Sequence, residues 1–262
     1  MSLSRRLRYP DGIRRFVRVC AALVALGAVQ SACQTAIPSG TILPVSLRSS
    51  LNSHKTKAGE TITGRITQDV PLPAGLKIRR GARVVGRVIA VAPATSTGGA
   101  RITLKFDTLQ SSKHSLPVVT NLRAIASMMA VHDAQLPLNG PDRGTSESAW
   151  TTDQIGGEVV YRGGGPVTNG EQVVGRPAPY GVLVRVSSKA AAKCRGDADG
   201  NRLQALWVFS SDACGAYDFP NLAIVHAGRS KPVGAITLAS HEGDLRVPAG
   251  SGMLLRTEFS NH

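Results

Sequence analysis

The sequence predicts an all-β protein: a Greek-key-like barrel or sandwich made from two strand sets, about 40–122 and 181–259, with a long loop-rich insert, about 124–180, between them. Three observations carry that expectation. Short segments alternate apolar and polar residues with a period of two, the mark of a strand with one buried face. Val and Thr are common and Gly and Pro abundant, with 28 glycines and 15 prolines. Glycines also fall inside the strand patterns, where they mark bends or close backbone approach, and bent strands belong to barrels and strongly coiled sandwiches.

The block 40–91 organises the rest. Ile62, Gly64 and Ile66 fall on one face of a strand, with Thr63, Arg65 and Thr67 on the other. In the next strand Val84, Gly86 and Val88 share a face, as do Val85, Ile89 and Val91, which predicts cover on both sides. Between them, Gly75 and Gly81 bracket a short strand with a turn at each end.

Further on, Ile102, Leu104 and Phe106 point in while Arg101, Thr103, Lys105 and Asp107 point out. The pattern returns at Leu116, Val118 and Leu122, and Ser111 to His114 makes the hairpin turn. From Ala124 the rhythm stops. Residues 124–131 read as one or two helical turns or a buried segment, and 133–148 as a loop rich in Asn, Gly, Pro, Asp and Ser. A strand then ends at Gly163-Gly164-Gly165, a glycine-rich turn that lacks the helix start and Lys-Ser/Thr of a phosphate loop. The second set opens with Val182, Val184 and Val186 on one face. It continues with Ala205, Trp207 and Phe209 opposite Leu206 and Val208, and then four more strands to Phe259.

The residues Gly40-Thr41, Leu51-Asn52-Ser53, Ala58-Gly59 and Ile78 to Gly86 resemble the opening of the TrbI-type C-terminal β-barrel, and Asp244 to Phe259 resembles its closing hairpin. Arg79 stands where that family has a proline. The resemblance implies a pore or scaffold of the kind found in conjugation and type IV secretion, with the two ends of the chain side by side in one closed sheet. Segments 154–166, 205–219 and 226–240 resemble blocks of uncharacterised exported bacterial proteins, a likeness that brings no activity with it.

Residues 1–33 read as an export signal, and 34–262 as a single β domain. Six arginines up to Arg18 precede the apolar run Val19 to Val29, which is short for a membrane span. Ala32-Cys33 resembles a lipoprotein signal end with Cys33 as the lipidated residue, though Gln30 occupies the place of the usual Leu, Val or Ile. Cleavage after Ser31 and retention as an uncleaved anchor are the competing readings; a mature start between Ala32 and Ala36 is expected. Membrane association would run through Cys33 or this segment.

The chain carries a formal +14, and beyond residue 33 about +9 remains, because the first 33 residues hold six arginines and one aspartate. Such charge favours anionic partners. The cations are scattered, with no aromatic platform among them, which disfavours nucleic acid. Cys194 and Cys214 form an even pair in an exported chain and are expected to be a disulfide.

No catalytic constellation emerges. The six histidines are far apart, no HExxH or GxSxG occurs, and Asp197 to Asn201 lacks the glycine and glutamate positions of a calcium loop. No cofactor is implied. Three function classes remain: a noncatalytic exported envelope module acting as scaffold, a binder of wall or surface polymers, and a hydrolase with an unrecognised site. The first is expected, with an envelope protein or anionic envelope polymer as partner and Trp150, Tyr161 and Tyr180 as candidate contacts.

Overall fold

Alternating apolar residues lay down the first run of strands: β1 (Ile42–Leu47), β2 (Leu51–Asn52), β3 (Thr61–Ile66), β4 (Val70–Pro71), β5 (Lys77–Ile78), β6 (Arg83–Ala92), β7 (Arg101–Ser111), β8 (His114–Pro117) and β9 (Val119–Ala126). The computed structural model describes residues 37–111, 114–138, 151–162, 164–187, 194, 202–228 and 232–259. As the alternation predicts, Ile62, Ile66, Val84, Val88, Ile102, Leu104 and Phe106 are sealed from solvent while their strand neighbours are half-buried or exposed. One expectation fails in β6. Its pairing with β7 shifts register between Val85 and Gly86 and again between Val88 and Ala90. The second irregularity turns Ile89 outward, 45% exposed, so β6 is covered on one side only.

Gly86 sits at the first irregularity. A Cβ there would fall on the backbone carbonyl of Lys105, so only glycine lets β6 and β7 approach this closely.

After β9 the chain makes the short helix α1 (Met128–Asp133), whose N-cap Ser127 accepts the Ala130 N–H at 3.0 Å. Composition presents 124–180 as loop, yet from Thr151 on more than half of its described residues are strand. The strands are β10 (Thr151–Asp153), β11 (Val159–Tyr161), β12 (Val167–Asn169) and β13 (Gln172–Ala178), followed by β14 (Gly181–Arg185) and β15 (Leu203–Ala205). These six form an antiparallel meander in sequence order.

The remaining strands return to the first sheet: β16 (Gly215–Tyr217), β17 (Leu222–Val225), β18 (Ile236–Ser240), β19 (Arg246–Val247) and β20 (Gly252–Glu258). Apart from β19, which pairs with β2, they extend a sheet in the order β16-β9-β20-β1-β3-β6-β7-β18-β17, with β8 also on β7. All its ladders are antiparallel except β16 on β9. The predicted second strand set is therefore split: 181–205 belongs to the meander and 215–258 to the larger sheet. The first and last described strands do lie side by side, with Ile42 opposite Arg256 and Ser46 opposite Gly252.

The sheet curls, but its ladder does not close into a barrel. β8 pairs with β7, and the Val118 N–H still donates to the Asp107 carbonyl at 3.0 Å before β9 departs to join β20. The result is an all-β, sandwich-like architecture with two cores. Leu43, Val45, Ile62, Phe106, Leu122 and Met253 fill the curl, while Ile42, Ala124, Leu254, Val160, Val182 and Phe209 pack between the sheets.

The segment 205–209 also departs from expectation. The strand stops at Ala205, Trp207 adopts φ 56°, and all five residues are buried. A turn with two-sided cover produces the same apolar run as a strand.

Cys194 and Cys214 are disulfide-bonded, with Cα atoms 5.8 Å apart. Cys194 is fully buried, and its bond ties the segment before β15 to the start of β16.

Gly86→Ala should lower unfolding free energy by about 1–3 kcal/mol in urea titration, as overpacking does. Gly98→Ala should be close to neutral, since a Cβ there meets only Thr95 Oγ1 at 3.5 Å. Replacing both Cys194 and Cys214 by Ser should cost about 3 kcal/mol on the chain-entropy account, read in the same titration; equal midpoints for oxidised and double-Ser protein would contradict it.

Candidate functional site

The Gln68 side chain joins the two sheets. It is 1% exposed, its Nε2 donates to the Val182 carbonyl at 2.8 Å, and its Oε1 accepts the Trp207 N–H at 2.9 Å. Beside it Gly181 has no space for a Cβ, which would press on Gln68 and the Trp207 backbone. These contacts fix the hairpin between β13 and β14 against the loop that carries β4 and β5.

That hairpin turns on two residues, Pro179 and Tyr180, between the paired Ala178 and Gly181. Pro179 suits the first central position, but Tyr180 takes φ 66° at the second, a conformation that glycine holds without strain. Its side chain is 64% exposed. A bulky residue held there at a cost of about 1–2 kcal/mol, with its ring in solvent, is conspicuous in an otherwise ordinary hairpin.

Arg80 covers one face of that ring, its guanidinium carbon 3.8 Å from the centroid. The loop aims it there: Arg80 Nε donates to the Thr67 carbonyl at 3.2 Å, and its backbone N–H donates to Asp69 at 2.8 Å. Asp69 also accepts from Lys77 Nζ at 2.5 Å. The Lys77 and Arg80 donors hold the Asp69 carboxyl below the usual carboxylate range.

Between loop and hairpin lies a groove of about 410 Å³. Leu72, Leu76, Pro179 and Leu183 provide apolar wall, and Lys77 and Arg176 bring cations to its edge. Leu76 is 51% exposed. The volume lies within the range of about 300–1,000 Å³ typical of ligand sites.

Of the predicted contact residues, Tyr180 lines this groove and Tyr161 does not. Tyr161 ends β11, 40% exposed, with its Cβ against Gly165. Trp150 and Cys33 lie outside the described residues, as does the run Asp197 to Asn201. Sequence reasoning missed Gln68, Arg80 and Arg176. A usable signal stood in Pro179-Tyr180-Gly181, where proline fixes a turn and tyrosine replaces the expected small residue.

The residues suited to hydrolysis sit in less favourable places. His54 and Asp244 pair at 2.5 Å, but on the surface, with side chains 56% and 35% exposed. A second polar group lies near the disulfide: the Ser211 N–H donates to Glu158 at 2.9 Å and its hydroxyl to the same carboxylate oxygen. Arg123 donates to the carbonyls of Ala213 and Ser211 at 2.8 and 3.1 Å. Arg123 and Glu158 are without solvent exposure and Ser211 is 1% exposed, so a substrate would not reach them. Burial pushes the Arg123 guanidinium down to about 10, leaving it charged at neutral pH. Among the described residues no three His, Cys, Asp or Glu side chains gather as metal ligands, and no helix is long and apolar enough to cross a membrane.

No protein-family model matches this chain, and no curated protein matches it.

Glu158 yields a pH dependence. Burial raises its folded value above the ordinary 4.5, outweighing the two Ser211 hydrogen bonds that favour the ionised form. The folded state therefore holds the proton more tightly than the unfolded chain. Its stabilising contribution is complete below about 4.5 and is lost as pH rises through the folded value. The stability of Glu158→Gln relative to the parent should accordingly increase from pH 4.5 to pH 8 in parallel melts. A difference that stays flat, or shrinks, would contradict the assignment.

Proposed function

We propose that this chain is a noncatalytic, exported cell-envelope module that acts by holding a partner, with the groove beside Tyr180 as its contact surface. One observation carries the reading: an exposed tyrosine kept in a strained backbone conformation, stacked under Arg80, at the edge of a mainly apolar groove. Strain of this kind persists where the surroundings over-determine it, and it clusters at functional positions.

The address rests on the arginine-rich leader, and the disulfide is compatible with an oxidising compartment. Lipidation at Cys33 would anchor the module to a membrane. The TrbI-type reading rests on the sequence likeness: β1 pairs with β20, but the sheet does not close as that likeness implied.

A polymer-binding role is the second reading, favoured by the excess of positive charge. Sugar recognition uses open aromatic faces, however, and one face of Tyr180 is already occupied by Arg80. The groove walls are aliphatic, which suits apolar side chains better than a hydrated glycan.

A photo-reactive amino acid at position 76 should trap a discrete envelope component, whereas one at exposed Val173, at the other end of β13, should not. Tyr180→Gly separates contact from folding. Relief of about 1 kcal/mol of strain offsets the loss of a cation–π contact of about 0.5–1 kcal/mol, so its melting temperature should hold or rise while the adduct disappears. Equal trapping from both positions, or an adduct indifferent to Tyr180→Gly, would remove the groove from the mechanism.

A further inference from the structure

The groove carries a sharper inference, which rests on its reading as a contact surface: we infer that its ligand is an extended protein segment in which an acidic residue stands next to apolar ones. Three of its features restrict the chemistry.

The first is the accounting of its cations. Lys77 is engaged by Asp69, and Arg80 is engaged by the Tyr180 ring and the Thr67 carbonyl. Arg176 differs: it lines the groove and, among the described residues, its side chain has no hydrogen-bond or salt-bridge partner. An Arg fork presented this way fits a planar carboxylate bidentately.

The second feature is the wall. Leu72, Leu76, Pro179 and Leu183 offer aliphatic surface, some of it well exposed, and Gln68 at the inner end has both ends of its amide already used within the protein. With the buried polar group satisfied, the wall gains from apolar side chains and offers little to a hydroxyl-rich chain. A carboxylate on the edge and a branched apolar group inside therefore belong to the same ligand.

The third feature is scale. About 410 Å³ is too small for a folded surface to enter, and it suits a few side chains from one extended strand. The charge of about +9 beyond residue 33 draws an acidic segment toward the protein and supplies no such attraction for a basic one.

The test uses the full-length chain and fluorescence anisotropy with a labelled hexapeptide of alternating leucine and glutamate. Comparison probes are a leucine–lysine hexapeptide, hexaglutamate and the anionic glycan polygalacturonate. The leucine–glutamate peptide should bind saturably and at least ten-fold tighter than either comparison peptide. Arg176→Glu should weaken it ten-fold or more, and Arg176→Lys should restore part of the loss. Neither substitution should shift the melting temperature, because Arg176 is exposed.

Hexaglutamate binding as tightly as the mixed peptide would overturn the inference in favour of plain charge attraction, and tighter binding of polygalacturonate would overturn it in favour of a glycan. Absence of saturable peptide binding also overturns it. In that event an adduct still trapped from position 76 keeps the groove as a contact surface and removes only the ligand class; loss of the adduct removes both.

Discussion

Three neighbouring strands, β9, β20 and β1, are buried on both faces, and the architecture hangs on them. Leu43, Val45 and Met253 look into the curl of the large sheet, while Ile42, Leu254 and Ala124 look out onto the meander. Each large apolar side chain buried this way contributes about 1.5–3 kcal/mol, and these strands contribute to two cores at once. Such strands read as near-continuous apolar runs rather than alternations, which is how 252–255 and 124–126 look in the sequence. Gly252 shows how tightly the layers meet: a Cβ there would lie 2.8 Å from Val131 and 3.2–3.3 Å from the rings of Trp207 and Phe209.

Polar groups are admitted between the layers only where they stitch separate segments together. Gln68 links the β4 loop to β14 and to the turn at Trp207. Gln204 accepts the Ile42 N–H at 3.2 Å and so ties the last strand of the meander to the first strand of the sheet. Arg123 holds the backbone of 211–213 next to the disulfide, so the chain entering β16 is secured by both covalent and charge-assisted contacts. Each satisfies backbone groups that would otherwise be stranded away from water. The groove inherits its shape from this stitching, because Gln68 sets where the Tyr180 hairpin stands.

Legibility followed the length of the strands. β7 spans eleven residues and repeats its alternation often enough to reveal its inward face, and the proximity of β1 to β20 was anticipated from a family likeness. The meander was legible only in part: strands were expected at β11, β14 and β15, whereas β10 and β12 have three residues each, one period and a half, beside glycine-rich turns. Trp207 was misplaced because an apolar run does not reveal a positive φ. At the site, Tyr180 stood out as an aromatic outside the core strands. Arg80 and Gln68 did not: their roles come from contacts with residues a hundred or more positions away, for which one sequence holds no signal.

The pairing of Ile42 with Arg256 also governs when the molecule can fold. The ladder at the heart of the larger sheet joins the beginning of the domain to its end, so the contact order is high and loop-closure entropy opposes early pairing. β3 reaches one edge of β1 early, but nearly the whole chain must be available before β20 covers the other edge. Until then the apolar faces of β1 and β3 have no finished core to enter, and exposed faces of that kind promote aggregation. Completion of the larger sheet thus waits on the arrival of its last strand.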